Sequence, residues 1–434
     1  VKPGAGAEGR FGLRAHGTDA RTEVLAGLTT FLTAAYIVFV NPAILSATGM
    51  DKAALITVTC LVAGISTWLM ALWANAPFMM APGMGLNAYF AFSLCLGQGI
   101  PWQTALGVVF LSGVLFLVLT WVGVRERIVE SIPRNLRLAA GVGIGLFITF
   151  IGLQNLGLVV KDDAVLVRLG DLTPSVLLGL GGVVLMAVLE ARRIRGAILA
   201  GILATAAAGF ALGLAEPPAA LLSLPASPGP VSFELDLLGA LQPALWAAIF
   251  SFMFVDLFDS LGTLLAVSYE AGRVTEDGRI PGIGRMLGAD AVATVFGSLM
   301  GTSTTTTYIE SASGIAEGGR TGLTSLVTGG LFLLALFFGP LIGSIPAFAT
   351  APALVVVGLF MVRGIQRIDF QRFDEALPAF LTIVLMPLTY SIATGLLFGF
   401  LSYVILKVLT GRGRELNPVL AVIALLSLLD LLVI

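Results

Sequence analysis

Charge is what this sequence has little of. Only 12% of its 434 residues are Asp, Glu, Lys or Arg, against about 25% in soluble domains. So few charges cannot solvate the surface of a water-soluble fold of this size, whereas lipid solvates apolar side chains directly. Histidine is scarcer still: His16 is the single one, in the polar N-terminal arm. The two cysteines, Cys60 and Cys95, lie inside apolar runs without ligand-like neighbours, which argues against metal or redox chemistry. A formal net charge of −2 leaves no basic footprint for nucleic acid. Neither H-E-x-x-H nor G-x-S-x-G occurs, so the common hydrolase motifs are missing. The N-terminus shows no short apolar core with a small-residue cleavage site, so no signal peptide is expected there.

What the chain has in quantity is apolar sequence. Hydrophobic residues make up 57% of it, with 52 glycines and a mean hydropathy of +0.99. Glycine is frequent in membrane helices because it lets their backbones approach closely. A bilayer is crossed by roughly 20 apolar residues. Candidate spans cover 24–47, 53–73, 102–124, 136–158, 175–189, 197–214, 240–267, 321–345, 352–362, 376–390 and 392–409. A further apolar run, 417–434, reads as a tail that does not span. The expectation is an all-α polytopic membrane protein.

Three segments read poorly as plain helices. Residues 77–97 contain A-P-G-M-G-L-N, and 301–319 contain G-T-S-T-T-T-T-Y-I-E-S. Hydroxyl and β-branched residues in succession from Ser303 to Thr307 favour extended backbone. Both segments are therefore expected to be half-length, broken spans. Residues 283–299 are only weakly apolar.

Arginine and lysine indicate orientation. They cluster at Arg10/Arg14/Arg21, Arg125/Arg127/Arg134/Arg137, Arg192/Arg193/Arg195, Arg273/Arg279/Arg285, Arg363/Arg367/Arg372 and Lys407/Arg412/Arg414. With fourteen spans, every cluster falls on the side of the N-terminus, which is then cytoplasmic. The stretch 216–236 has no basic residue and falls outside.

The halves repeat. S-I-P at 131–133 and G-L-F at 145–147 recur at 344–346 and 358–360, both displaced by 213 positions. Phe39-Val40-Asn41 matches Phe254-Val255-Asp256 at a displacement of 215. Seven spans per copy would invert the second copy in the membrane. Inverted repeats with broken helices are a transporter pattern, with the substrate near the midplane at the breaks. Unwound backbone there is tolerated where it lines a cavity or binds a ligand.

The carboxylates carry the chemistry. Asp256 and Asp259, three apart within 240–267, share a helix face. Glu310 follows the threonine run. Ionisable groups within a membrane are costly and mostly functional. The alternative, a structural ion pair, is weakened because neither apolar stretch contains Lys or Arg. Acidic groups in low dielectric also suit proton coupling. Asn87, in M-G-L-N-A-Y-F, can donate and accept toward a nucleobase edge, or else tie its broken helix to a neighbour. The hydroxyls of Thr304 to Thr307, Thr306 included, either line the site or satisfy backbone carbonyls. Phe31, Tyr36, Phe254 and Tyr308 either stack on a planar ligand or pack.

Four stretches in the same order resemble the adenine/guanine/hypoxanthine permeases, the azaguanine-resistance-type branch of the nucleobase–cation symporters. They are R-T-E-V-L-A-G-L-T-T-F-L-T-A-A-Y-I-V-F-V-N-P (21–42), P-G-M-G-L-N-A-Y-F (82–90), F-V-D-L-F-D-S-L-G-T-L (254–264) and T-S-T-T-T-T-Y-I-E-S-A-S-G (302–314). The resemblance implies a uracil-permease-like fold of fourteen spans in two inverted sevens. A cytoplasmic arm (1–20) would precede a core domain (21–125 and 239–347) and a gate domain (126–215 and 348–434), with an extracellular loop at 216–238. It implies proton-coupled import of purine bases across a bacterial inner membrane by an elevator-like motion of the core. No cofactor is implied beyond the coupled H+, and a homodimer through the gate domain is suggested. Carried onto this sequence, Asn87, Asp256 and Glu310 hold the base, and Asp259 is also important. Backbone groups around Leu86, Ala88 and Ile309 add contacts. Ala34 stands where many members have Met.

Rivals remain at this stage. A uracil or xanthine carrier usually has acidic or Asp/His pairs four apart in the eighth span, where this chain has D-x-x-D. A sulfate-transporter-type anion carrier should not hold two nearby carboxylates. A passive cation channel would lack saturable counterflow, and a membrane enzyme would need a nucleophile–base or metal constellation that is not found.

Overall fold

The computed structural model describes residues 10–122, 133–274, 280–417 and 420. Arg125, Arg127, Arg279, Ser131 and Ile132 of the first S-I-P, and nearly all of 417–434 lie outside them.

Polar caps start several helices and apolar runs fill them. Helix α1 (Ala20–Ala34) begins where the Asp19 carboxylate accepts the Thr22 N–H at 2.9 Å. Helix α2 (Ile37–Leu45) follows, then α3 (Lys52–Leu69), whose Asp51 cap accepts the Ala54 N–H at 2.7 Å. Strand β1 (Met80–Pro82) leads into α4 (Met84–Ala88), which continues as a π-helical stretch over Tyr89–Gly97. Helices α5 (Trp102–Val122) and α6 (Arg134–Leu156) precede a hairpin of β2 (Val159–Asp162) and β3 (Leu166–Leu169). Helices α7 (Pro174–Ala191) and α8 (Ala197–Ala211) complete the first half. The second half holds α9 (Trp246–Glu270), α10 (Ile283–Met300), β4 (Thr305–Thr307), α11 (Ser311–Ala316) and α12 (Gly322–Ala335). It ends with α13 (Ala347–Val362), α14 (Phe373–Thr389) and α15 (Ile392–Leu409). Ten helical stretches among the described residues are long and apolar enough to cross a membrane. The chain is a helical polytopic membrane protein.

Structure and sequence pattern differ in instructive places. The apolar run 24–47 is broken at Ala35–Tyr36. One turn earlier the Thr33 hydroxyl donates to the carbonyls of Thr29 and Thr30, at 3.0 and 2.9 Å, a back-bonding that bends helices. Helix α10 is regular despite its weak apolarity. Its polar residues Asp290, Thr294 and Ser298 recur every four positions, so they form one buried stripe. Helix α13 starts at Ala347 and carries Pro352 inside it, five residues before the expected start. The hairpin was not anticipated; Asp162 turns it by accepting the N–H groups of Ala164 and Val165, at 2.8 and 3.1 Å.

Two of the crossings between the halves position the site. Strands β1 and β4 pair antiparallel, with Met80 opposite Thr307, Ala81 opposite Thr306 and Pro82 opposite Thr305. The ladder extends through the Gly83 N–H to the Thr304 carbonyl, at 2.9 Å, and the Tyr308 N–H to the Met79 carbonyl, at 3.0 Å. Extended backbone deep in an apolar protein is thus satisfied by its partner strand. At the second crossing the two G-L-F copies touch. A Cβ on Gly145 would lie 2.7 Å from the Gly358 oxygen, and one on Gly358 would lie 2.5 Å from the Gly145 oxygen. Only glycine allows α6 and α13 to approach this closely.

Candidate functional site

The crossing of β1 and β4 borders a cavity of about 750 Å³. One wall is the β4–α11 connection and α9: Thr306, Tyr308, Ile309, Glu310 and Asp259 line it. The facing wall comes from α6 and α13, with Gly141, Val357 and Phe360. Glu190, Arg193, Arg195 and Arg363 also line it, three of them from the turn between α7 and α8 and its approach. A site of this size and mixed lining suits a small, partly polar ligand.

Hydrogen bonds fix the acidic wall. The Tyr36 O–H donates to Glu310 Oε1 at 2.5 Å. The Tyr308 O–H donates to the Pro82 carbonyl at 2.5 Å, and the Met79 N–H donates to Ser311 Oγ at 2.9 Å. Residues on either side of Glu310 are therefore tied to β1 and its approach.

Of the residues singled out in the sequence, Asp259, Thr306, Ile309 and Glu310 lie together on the cavity wall. Leu86, Asn87, Ala88, Phe254 and Asp256 do not line it and are buried in the surrounding packing. Asp256 lies one turn before Asp259, and its Oδ2 accepts from the Thr294 hydroxyl at 3.1 Å. Asn87 Nδ2 donates to Asn41 Oδ1 at 2.6 Å, and the Asn41 amide continues to Thr59 Oγ1 at 2.7 Å. Asn87 Oδ1 and Thr304 Oγ1 are buried and make no hydrogen bond among the described residues. The Phe254 ring packs on Phe250, at 5.5 Å between centroids, and edge-on to Phe400, at 5.3 Å. Phe31 meets Phe332 at 5.0 Å.

A fourth intramembrane carboxylate, Asp290, escaped the sequence reading. It is fully buried on α10. Its Oδ2 accepts from the Ser260 hydroxyl, and its Oδ1 from the Thr307 hydroxyl at 3.4 Å. It therefore connects the residue after Asp259 to the strand that leads to Glu310. The signal that exposed Asp256 applies to it equally: an acidic residue within a candidate span. Among the described residues no group of three His, Cys, Asp or Glu side chains is placed to hold a metal.

The sequence profile of the Permease family (Xan_ur_permease) matches residues 21–398. The chain belongs to the Permease family. This permease is 46% identical to the adenine permease AdeP of Escherichia coli, over 97% of this chain and 95% of that protein. It is 43% identical to the guanine/hypoxanthine permease PbuG of Bacillus subtilis, over 93% of this chain and 94% of that one. Among solved structures, the transmembrane domain of a cyanobacterial bicarbonate transporter, BicA, superposes with a TM-score of 0.63 at 17% identity. That match covers 86% of this permease and 97% of the BicA domain. SLC26A9 superposes at 0.65 and 10% identity, over 90% of this permease and 65% of that chain. At such identities these two matches concern the fold. Membership makes the chain a membrane transport protein and not an enzyme.

Proposed function

We propose that this permease is a proton-coupled symporter that imports purine nucleobases across a bacterial inner membrane by elevator-like alternating access. The observation that carries the reading is the pairing of Asp259 and Glu310 in one membrane cavity, in a chain alike over nearly its whole length to proteins named for adenine and for guanine/hypoxanthine. A neutral purine offers N–H donors to carboxylates. The same pair disfavours an anion bound beside it, although Arg193, Arg195 and Arg363 line other parts of the cavity wall.

In this reading Glu310, the Ile309 backbone and Thr306 hold the base in the cavity. Asp256 and Asn87, buried behind the cavity wall, would complete the set once that wall opens to them, with backbone groups of Leu86 and Ala88; the unpaired Asn87 Oδ1 would then take a base N–H. Phe254 would flank the ring after a rearrangement of its aromatic neighbours. Asp259, Asp256 or Glu310 carries the proton. The ten long helices become fourteen spans when Met84–Gly97, Ala197–Ala211, Phe373–Thr389 and the β4–α11 pair are counted. These form two inverted sevens, with the N-terminus cytoplasmic. The meeting of Gly145 with Gly358, at the displacement of the repeat, supports a local two-fold between them. The core comprises 21–125 and 239–347, the gate 126–215 and 348–434, and a homodimer would form through the gate.

The test is uptake of radiolabelled hypoxanthine, guanine and adenine into proteoliposomes, with and without an inward proton gradient, for wild type and Glu310→Gln. Gradient-driven accumulation lost in Glu310→Gln is the expected result. An active preparation that takes up no purine overturns the reading.

A further inference from the structure

Tyr36 sits at the joint between α1 and α2 and has no exposed surface. It does not line the cavity, whereas Glu310 does. Its hydroxyl donates to Glu310 Oε1 at 2.5 Å. Among the described residues no second side chain donates to Glu310. We propose that Tyr36 is the positioning residue for Glu310, fixing Oε1 and leaving Oε2 as the one oxygen that meets both substrate and proton.

The consequence follows from donor counting. When Glu310 is a carboxylate, Oε2 accepts a base N–H. When Glu310 is protonated, the Tyr36 O–H continues to donate to Oε1, now the carbonyl oxygen, and the acid proton sits on Oε2. There it becomes a donor toward a ring nitrogen. The two protonation states thus present opposite hydrogen-bond polarity to the same edge of the ligand. A carboxyl free to rotate would scramble that distinction. Thr33 back-bonds in α1 just before the break that places Tyr36, and such back-bonding bends helices. That Oε2 meets a purine rests on the proposed function; that Tyr36 holds Oε1 does not.

The test separates the two. Infrared difference spectra of the purified full chain in lipid are recorded as pH is lowered. Asp259 and Tyr308 share the cavity with Glu190, Arg193, Arg195 and Arg363, so the Glu310 carboxyl band is assigned by its loss in Glu310→Gln. Tyr36→Phe should move that band to higher frequency, because a hydrogen bond to the carbonyl oxygen weakens C=O. The same variant should raise KM for hypoxanthine about tenfold while kcat changes little. Should Tyr36→Phe fail to fold, 3,5-difluorotyrosine at position 36 keeps the ring and strengthens the donor, and should move the band down. An unmoved band in a folded variant of either kind overturns the assignment. A moved band in a protein without purine uptake upholds the positioning and overturns the proposed function.

Discussion

Glu23 is a buried acid and Glu310 a half-buried one, and their surroundings assign them opposite tasks. Glu23 has no exposed surface and is saturated with donors. It accepts the backbone N–H groups of Arg320, Thr321 and Thr324, at 2.9, 3.2 and 3.0 Å, and the hydroxyls of Thr321 and Thr324, at 2.9 and 2.6 Å. These donors surround the N-terminus of α12, where free N–H groups and the helix dipole favour an anion. A carboxylate so engaged has no lone pair left for a ligand and acts as a cross-link between α1 and α12. Glu310 has one side-chain donor and an open side. Glu23→Ala should therefore destabilise the fold by about 3 kcal/mol, through buried donors left unmatched. Thermal unfolding in detergent checks this, with Glu23→Gln recovering part of the loss. Uptake per folded molecule should stay near wild type; a selective loss of uptake would move Glu23 into the transport machinery.

Elements show which features a one-dimensional pattern can carry. The run of hydroxyl and β-branched residues before Glu310 announces extended backbone, and Thr305–Thr307 is a strand. The carboxylates stand out because so little else in the apolar runs is charged. Which of them faces the cavity was not legible. Asp256 and Asp259 share a helix face by spacing, but three residues also separate them by about 4.5 Å along the axis, and only Asp259 reaches the wall. Asp290 is hidden in the sequence because 283–299 is only weakly apolar, so a carboxylate stands out less there, and its polar positions recur with a four-residue period rather than as a run. The break at Tyr36 coincides with back-bonding of the Thr33 hydroxyl, which no apolar scan contains. The repeated G-L-F was legible as a repeat, though only the fold shows its copies in contact. Gly358→Leu should force α6 and α13 apart, because its Cβ would meet the Gly145 oxygen and Thr149 Oγ1. Overpacking of this kind costs about 1–3 kcal/mol or more, seen as a lower melting temperature and lower yield of folded protein. Gly141→Ala, one turn before Gly145 on α6, is the control. A Cβ there meets nothing within 4 Å, so the melting temperature should hold, and a drop as large as that of Gly358→Leu would refute the crossing argument.

At the scale of the whole molecule, the first and second halves are also joined beside the cavity. Arg195, in the turn between α7 and α8, forms an ion pair with Glu317, just after α11. In the proposed division Arg195 belongs to the gate and Glu317 to the core, so the pair bridges the two parts that must separate for access. Arg195 itself lines the cavity. The partners are 57% and 27% exposed, and pairs this wet contribute about 0–1 kcal/mol. That is too little to lock a conformation and enough to shift its population up to about fivefold. Glu317→Gln should therefore raise the rate at which a membrane-impermeant thiol reagent labels a cysteine at position 309, a cavity residue with 46% of its surface exposed. Cys60 and Cys95 are buried, and the parent protein supplies their background rate. The exchanged pair, Arg195→Glu with Glu317→Arg, should return labelling toward the parent value, and salt should speed labelling of the parent more than of Glu317→Gln, because screening acts only where the pair exists. Equal labelling of parent and Glu317→Gln at every salt concentration would show that the pair does not bias access to the cavity.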